Sequence, residues 1–346
     1  TREDLERDLA RDIRDALRYE PGVSVEHSAA RFGLGNIAIR GLEGNRVQML
    51  VDGVRMPDGY RVGSFSNASR NPYDLGLLSR IEILRGPGSA LYGSDALAGV
   101  VSMTTLAPGD LMRRDTTFGG FAHAGYASMD DSVSRAGAVA ARAGAVEILV
   151  GATRTDGRER DNRGDMDALG AARTVPNPQD GFGASQLAKL VIPMRGGGHW
   201  GATFDRFERR VATDVQSLNP QSPRTTNLTG DDRAERRRAS VDGVMHDIGF
   251  VDRISVIAYD QRSETVHPPP FLASARRLMP LPPVMLIELV STSPPSITAG
   301  CTMGVPPSYL SSHSSVPSAG LIAAAPEPVS ISTCSTPPMV ARCGEL

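Results

Sequence analysis

The sequence predicts a small α+β domain, then a run of antiparallel β-strands, then an irregular tail. Three observations predict it. One amphipathic helix and four short glycine-closed strand candidates fill the first 110 residues. Seven segments of about ten residues, with apolar and polar positions tending to alternate, fill the stretch from Phe118 to about residue 267. Past that point proline and serine replace all periodicity. The divisions fall at 1–112, 113–267 and 268–346.

The helix comes first. Thr1 and Asp4 form a capping-box pattern, and Leu5, Leu9, Ile13 and Leu17 recur at spacing four until Pro21-Gly22 stops the run. NIAIRG (36–41) and RVQMLVDG (46–53) are short, apolar and closed by glycine, with Glu43-Gly44-Asn45 as turn chemistry between them, so they are expected to pair with each other. A polar loop runs from Arg55 to about Asp74. RIEILRG (80–86) and GVVSMTT (99–105) supply two further strands.

From Phe118 the texture changes to FGGFAHAGYASMD, SVSRAGAVAARAG, AVEILVGATRTDGRE, SQLAKLVIPM, HWGATFDRFERRV, RRASVDGVMHDI and FVDRISVIAYDQRSE. Some of these are separated by short turns such as 195–198. Others are separated by long polar stretches such as RTDGRERDNRGDMDALG and TDVQSLNPQSPRTTNLTGDD. Short turns at one end and long loops at the other match an outer-membrane barrel, although a soluble β-sandwich gives the same signal strand by strand. Periodicity alone leaves both open.

From His267 the chain reads HPPPFLASARRLMPLPPVML and later PPSYLSSHSSVPSAG, with six charged residues in all. Proline at this density removes backbone donors, so strands paired with the preceding segments are not expected there. All three cysteines, Cys301, Cys334 and Cys343, lie in this tail without C-x-x-C spacing, and they point to neither zinc nor a disulfide framework. Arginine is used almost to the exclusion of lysine upstream, whereas charge collapses here. The chain also ends in Gly-Glu-Leu rather than an aromatic residue. A shifted reading frame near His267 would account for these changes together.

Composition narrows the function classes. A 346-residue chain that is 40% hydrophobic and 5% aromatic can bury a modest core, and its net charge of -2 provides no broad basic field for nucleic acid. No stretch reaches the 18 apolar residues of a transmembrane helix, and TREDLERDLARD does not resemble a secretory leader. The reading is therefore a cytosolic protein or a chain lacking its start.

The stretch LRGPGSALYGSDALAGV (84–100) holds four glycines but no lysine, so it cannot be a phosphate loop. The chain's single lysine is Lys189, preceded by Ala188. GLGNIA (33–38) matches a dinucleotide fingerprint, but a strand-like IAIRG follows it rather than a helix. The histidines His27, His123, His199, His246, His267 and His313 show no ligand spacing, and Asp161, Asp165 and Asp167 sit among arginines in a solvated loop. No serine, cysteine or carboxylate has a partner that would make it a nucleophile or general acid, so no enzyme is expected.

IAIRG, then VQMLVDGVRMPDG, then RIEILRGPGSALYGSDALAGVVSMTT, in this order and spacing, closely resemble the plug domain of TonB-dependent outer-membrane receptors. The alternating segments are similar to the first strands of that family's barrel. LYGSDALAGVVSMTTLAPGDLM looks most like the haem and haemoglobin receptors. The resemblance implies an α+β plug domain followed by antiparallel strands of an incomplete transmembrane β-barrel in a Gram-negative outer membrane, with function in active uptake of haem or another iron-containing ligand. It implies outer-membrane lipid, the energy-coupling protein TonB and a haem or haemoprotein ligand as partners, with no intrinsic cofactor. The signal peptide, the TonB-contacting box and the first plug strand of the family have no counterpart here, and seven or eight strands do not close a barrel. The alternative is a soluble α+β and β-meander module that recognises a protein or glycan, which detergent dependence would distinguish.

The resemblance also assigns residues. Arg40 and Arg85, each before a glycine at a strand's end, would pair with barrel glutamates and lock plug to wall, against the alternative of two solvated surface arginines. Gly41, Gly53, Gly86, Gly88 and Gly93 would make plug turns and bind nothing. The loop from Met56 to Tyr73 would face arriving ligand. Tyr60 is its best candidate for haem iron, since a phenolate can serve as an axial ligand.

Overall fold

The computed structural model describes residues 1–8, 10–28, 33–58, 74–93, 95–113, 115–194, 196–217, 229–249, 251–266, 276–280, 284–290 and 300–301. Contacts group the chain into one unit, Thr1–Pro306, and a second, Pro307–Leu346, and the described residues all belong to the first.

The chain opens with two short helices, α1 (Arg2–Arg7) and α2 (Ile13–Ala16), where one was expected. The capping box of Thr1 and Asp4 is present, but Asp8 takes the C-cap of α1, and Asp12 accepts from the Asp15 amide to start a new helix. A good N-cap in mid-pattern thus competes with helix continuation. Ile13 and Leu17 still reach the core.

Two small sheets follow. The first pairs β1 (Val23–Ser28) with β2 (Gly33–Ile39). The second has the order β4-β3-β6-β5, from β3 (Val47–Val51), β4 (Val54–Arg55), β5 (Leu78–Arg85) and β6 (Gly99–Thr105). The NIAIRG strand therefore pairs with β1, a strand not foreseen, rather than with RVQMLVDG. That segment instead runs parallel to β6, with Val47 opposite Gly99 and Val51 opposite Met103. Alternation explains the choice. Val47, Met49 and Val51 enter one buried cluster with Ile37, Ile39, Val101 and Met103, while Leu50 packs with Ala96 and Val100 on the opposite face. A strand buried on both faces belongs inside a sheet rather than in an exposed hairpin. Two short helices, α3 (Ser89–Tyr92) and α4 (Pro108–Leu111), flank β6, and α4 leads out of the domain.

The seven alternating segments all form strands: β7 (Phe118–Ala127), β8 (Ser132–Ala143), β9 (Val146–Arg158), β10 (Gln179–Pro193), β11 (His199–Asp214), β12 (Thr229–Ile248) and β13 (Val251–Val266). Each is antiparallel to the next. The connections 144–145, 194–198 and 249–250 lie at one end, and 128–131, 159–178 and 215–228 at the other, which gives a short-turn end and a long-loop end. Past residue 268 the expectation of no pairing is not met. Among the described residues β14 (Arg276–Pro280) and β15 (Val284–Val290) both pair with β13, and β16 (Gly300–Cys301) pairs with β15. The free edge of β13 offers unpaired backbone groups, and VMLIELV has the apolar, branched composition that suits a strand. The sheet runs from β16 to β7 without closing.

The two faces of this large sheet differ in kind. On the face toward the N-terminal domain, β12 buries Asp232, Ala234, Arg236, Arg238 and Ser240 in strict alternation. On the other face, registers align Val139, Val150, Ala188, Phe204 and Ala239 in one row, which Asp260 ends on β13. Two residues nearer the short turns the next row is Ala141, Ile148, Leu190, Ala202, Val241 and Ala258, and beyond it come Val146, Ile192, Trp200, Gly243 and Val256. Phe204, Val241 and Val150 remain about half exposed. Nearer the long loops this apolar band gives way to charged rows. The 20 residues of β12 extend about 65 Å along the strand, far more than the apolar band occupies. No helix among the described residues is long and apolar enough to cross a membrane, which says nothing of strands.

Candidate functional site at the junction of the N-terminal domain and the sheet

The turn that carries the site is Asp52-Gly53, between β3 and β4. Both residues are left-handed, with φ of 49° and 76°, as a two-residue hairpin turn of mirror-image type requires. Asp-Gly is a favoured sequence for that turn, and here it aims the Asp52 carboxylate at the sheet.

Four groups converge on that carboxylate. The Thr105 amide donates to it at 2.8 Å and the Thr105 hydroxyl at 2.7 Å. Arg238 of β12 pairs with it at 2.7 Å, and Lys189 of β10 stands at 3.5 Å. Arg238 also donates to the Val51 carbonyl and to Asp205 of β11, which in turn pairs with Arg236. Lys189 further donates to the Thr105 carbonyl at 3.3 Å, and Gln261 of β13 to the Arg55 carbonyl at 3.1 Å. Burial alone would raise the pKa of Asp52, but Lys189, Arg238 and the two Thr105 bonds outweigh it and hold the carboxyl well below the usual carboxylate range. The latch is ionised at any physiological pH.

The latch is incompletely satisfied. Among the described residues, Nε and Nη1 of Arg236 and Oε1 of Gln261 are buried without a hydrogen-bond partner, as is the hydroxyl of Ser185 on the same face. Such orphans carry a desolvation cost. The inner face is therefore polar beyond what one docked domain uses.

A second, apolar part of the junction lies apart from this network. Leu77, Leu106 and Met112 pack against Ala138, Ala140, Leu149 and Leu187 of the sheet. Close approach there depends on small residues. A Cβ on Gly151 would stand 2.8 Å from Leu77, and one on Gly76 would stand 2.8 Å from Thr153. Arg2 stacks over Phe121 at 4.0 Å and donates to the Gly76 carbonyl at 3.3 Å.

The residues singled out from sequence are distributed as follows. Arg85 pairs with Glu20 inside the N-terminal domain. Arg40 is an exposed turn residue with φ of 51°, and its side chain makes no ion pair among the described residues. Neither meets a carboxylate of the described strands, because the turn geometry directs Arg40 to solvent and Arg85 lies beside α2. The contact runs in the opposite sense, with the carboxylate on the domain and the cations on the sheet. Gly41, Gly53, Gly86 and Gly93 adopt positive φ, whereas Gly88 caps α3 at −110° and is confined by Val100, Leu84 and Tyr92. Tyr60 lies outside the described residues, as do the other positions 59–73 of its loop. In the aspartate-rich loop, Asp167 pairs with Arg173, and among the described residues no group of acidic, histidine or cysteine side chains could hold a metal ion.

Sequence reasoning did not single out Asp52, Asp205, Arg236 or Arg238. One signal was present. Lys189, the only lysine, sits in the apolar run LAKLV with an alternation that sends it inward with Leu187.

Comparison with known proteins agrees with this architecture. The family model for the TonB-dependent receptor plug domain matches residues 1–100. The vitamin B12 transporter BtuB of Vibrio vulnificus is 38% identical over 105 residues, 30% of this chain and 16% of that protein. Among solved structures, the FrpB iron transporter from Neisseria meningitidis superposes with a TM-score of 0.65 at 19% identity, covering 83% of this chain and 45% of that one. A double mutant of the Serratia marcescens hemophore receptor HasR, in complex with its hemophore HasA and heme, gives 0.64 at 19% identity, covering 84% and 40%. The chain thus spans less than half the length of these transporters. The proteins it resembles are transporters and receptors rather than enzymes. The chain carries a plug domain seated against the antiparallel strands of an open sheet, the fold of part of a TonB-dependent receptor.

Proposed function

We propose that this chain is the plug and first wall strands of a TonB-dependent transporter of the Gram-negative outer membrane, which takes up an iron-containing ligand, haem first among them. The observation that carries the reading is the Asp52 latch. A family plug sequence is fastened by buried charge to the inner face of a sheet whose outer face bears an apolar band. A soluble module would not present that band to water. A latch of hydrogen-bonded charges suits a plug that must hold and then yield, because ion pairs exchange partners or water without a packed core being rebuilt. TonB is the proposed source of the force.

Haem is favoured by the LYGSDALAGVVSMTT motif. The 38% identity to a vitamin B12 transporter favours a second reading, a corrinoid. Tyr60 is proposed as the iron ligand, and Arg40 as a partner for wall carboxylates outside the described strands. The test is growth. Deleting the gene region that encodes this chain should abolish TonB-dependent growth on haemin as the sole iron source, and Tyr60→Ala should alter the haemin absorption spectrum of the protein. Growth lost on limiting cyanocobalamin alone would assign the corrinoid instead. Growth unchanged on both would overturn the transport reading.

A further inference from the structure

The sheet side of the Asp52 latch holds more donors than its own acceptors use. Arg238 gives both terminal nitrogens to the N-terminal domain, one to Asp52 and one to the Val51 carbonyl, and keeps Nε for Asp205 of its own sheet. Lys189 likewise reaches across, to Asp52 at 3.5 Å and to the Thr105 carbonyl at 3.3 Å. Arg236 lies two residues, about 7 Å, along β12 on the same face, and one of its terminal nitrogens takes the other oxygen of Asp205. Its Nε and Nη1, on a side chain only 3% exposed, have no hydrogen-bond partner among the described residues.

Charge is unbalanced in the same sense. Lys189, Arg236 and Arg238 face two carboxylates, Asp52 and Asp205, and of these only Asp205 belongs to the sheet. The other carboxylates around them are engaged elsewhere. On the inner face Asp242 meets His199 at 3.1 Å, and Asp232 lies with Asp12 in the field of Arg209. On the domain, Asp58 and Asp95 pair with Arg55. Withdrawing the domain removes Asp52 together with both Thr105 donors, and leaves three cations against one carboxylate. Unpaired buried charge is costly, and guanidinium forks match the geometry of a carboxylate.

We propose that Lys189, Arg236, Arg238 and Asp205 form a carboxylate-binding site on the wall, filled at rest by Asp52 and, when the domain yields, by a carboxylate of the transported ligand. The second half rests on the transport reading above, and the first does not. Asp52 is then an internal stand-in for the ligand, and the same cations that hold the plug favour the anion that replaces it.

The test is chemical replacement in the whole chain, purified in dodecyl maltoside. Asp52 has φ of 49°, which glycine adopts freely, so Asp52→Gly empties the site without straining the turn. Exchange of the Val47–Val51 amides is followed in sodium acetate and in sodium chloride at equal ionic strength. Acetate, bridging Arg238, Lys189 and Thr105 as Asp52 does, should raise protection in Asp52→Gly saturably and by at least about tenfold, the size of one charged hydrogen bond. It should leave the unsubstituted chain unchanged and lose its effect in Asp52→Gly/Arg238→Gln. Because the effect is a difference within one variant, it is readable even where Asp52→Gly loosens the domain. Haemin, whose propionates are carboxylates, should replace acetate, and haemin dimethyl ester should not. Acetate equal to chloride overturns the site, whatever growth on haemin shows. Acetate effective but haemin no better than its ester overturns the ligand's claim on the site, while growth on haemin decides the transport reading separately.

Discussion

The two parts of the junction solve the same problem with opposite chemistry. Around Asp52 the contact is charge on charge, with each partner buried and several donors left unused. Around Leu77 it is leucine and methionine against alanine and leucine, close-packed through two glycines. An apolar seam is insensitive to pH and costs packing to separate. A buried charged network depends on every member, because removing one strands the rest. The difference assigns the Leu77 seam to holding position and the Asp52 latch to specifying it.

The largest expected effect tests that dependence. Arg238→Met leaves Asp52 and Asp205 facing each other with Lys189 and Arg236 as the remaining cations, and it should cost about 3–5 kcal/mol of domain docking. Hydrogen exchange of the β3 amides, measured in the detergent-solubilised chain, would show their protection lost. Leu77→Ala should cost about 2–3 kcal/mol, toward the lower end for leucine truncation because its neighbours include small alanines. It should loosen the β8 and β9 side of the junction while the Asp52 contacts persist.

How much of this was legible in the sequence differs between the same regions. The seven strands of the wall could be read because an antiparallel sheet with two unlike faces writes its period into the chain. Pairing within the N-terminal domain could not, because β3 and β6 are buried on both faces and lose the alternation that would set their partners. The latch was hidden for another reason. Arg236, Arg237 and Arg238 are consecutive, so side-chain type does not reveal that two point inward and one outward until the register is known. Arg40 and Arg85, by contrast, were conspicuous as motif residues, yet their described surroundings are a turn and an intradomain pair. Gly99, a tightly constrained glycine, was not singled out either. At φ of 156° its Cβ would fall 2.2 Å from the Leu84 carbonyl oxygen.

A pH titration sharpens the contrast between latch and seam. The folded pKa of Asp52 lies below its unfolded value of about 4, so its contribution is fully present above that pH. It is lost as pH falls through the depressed folded value. Protection of β3 should therefore hold at pH 5 and decline in strong acid, and Asp52→Asn should abolish that portion of the decline. Protection that rises on acidification would contradict the assignment. The smallest effect is expected for Arg85→Ala. Its pair with Glu20 is about 35–45% exposed and its loss should cost less than about 1 kcal/mol in thermal unfolding.

The central claim is that the Asp52 turn and Arg238 hold each other across the junction, and a double-mutant cycle measures it directly. Asp52→Asn, Arg238→Gln and the double variant would be compared through the exchange free energy of the Val47–Val51 amides. A coupling of at least about 1.5 kcal/mol is predicted, as for contacting members of one network. Additive effects within about 0.5 kcal/mol, the behaviour of independent sites, would contradict it.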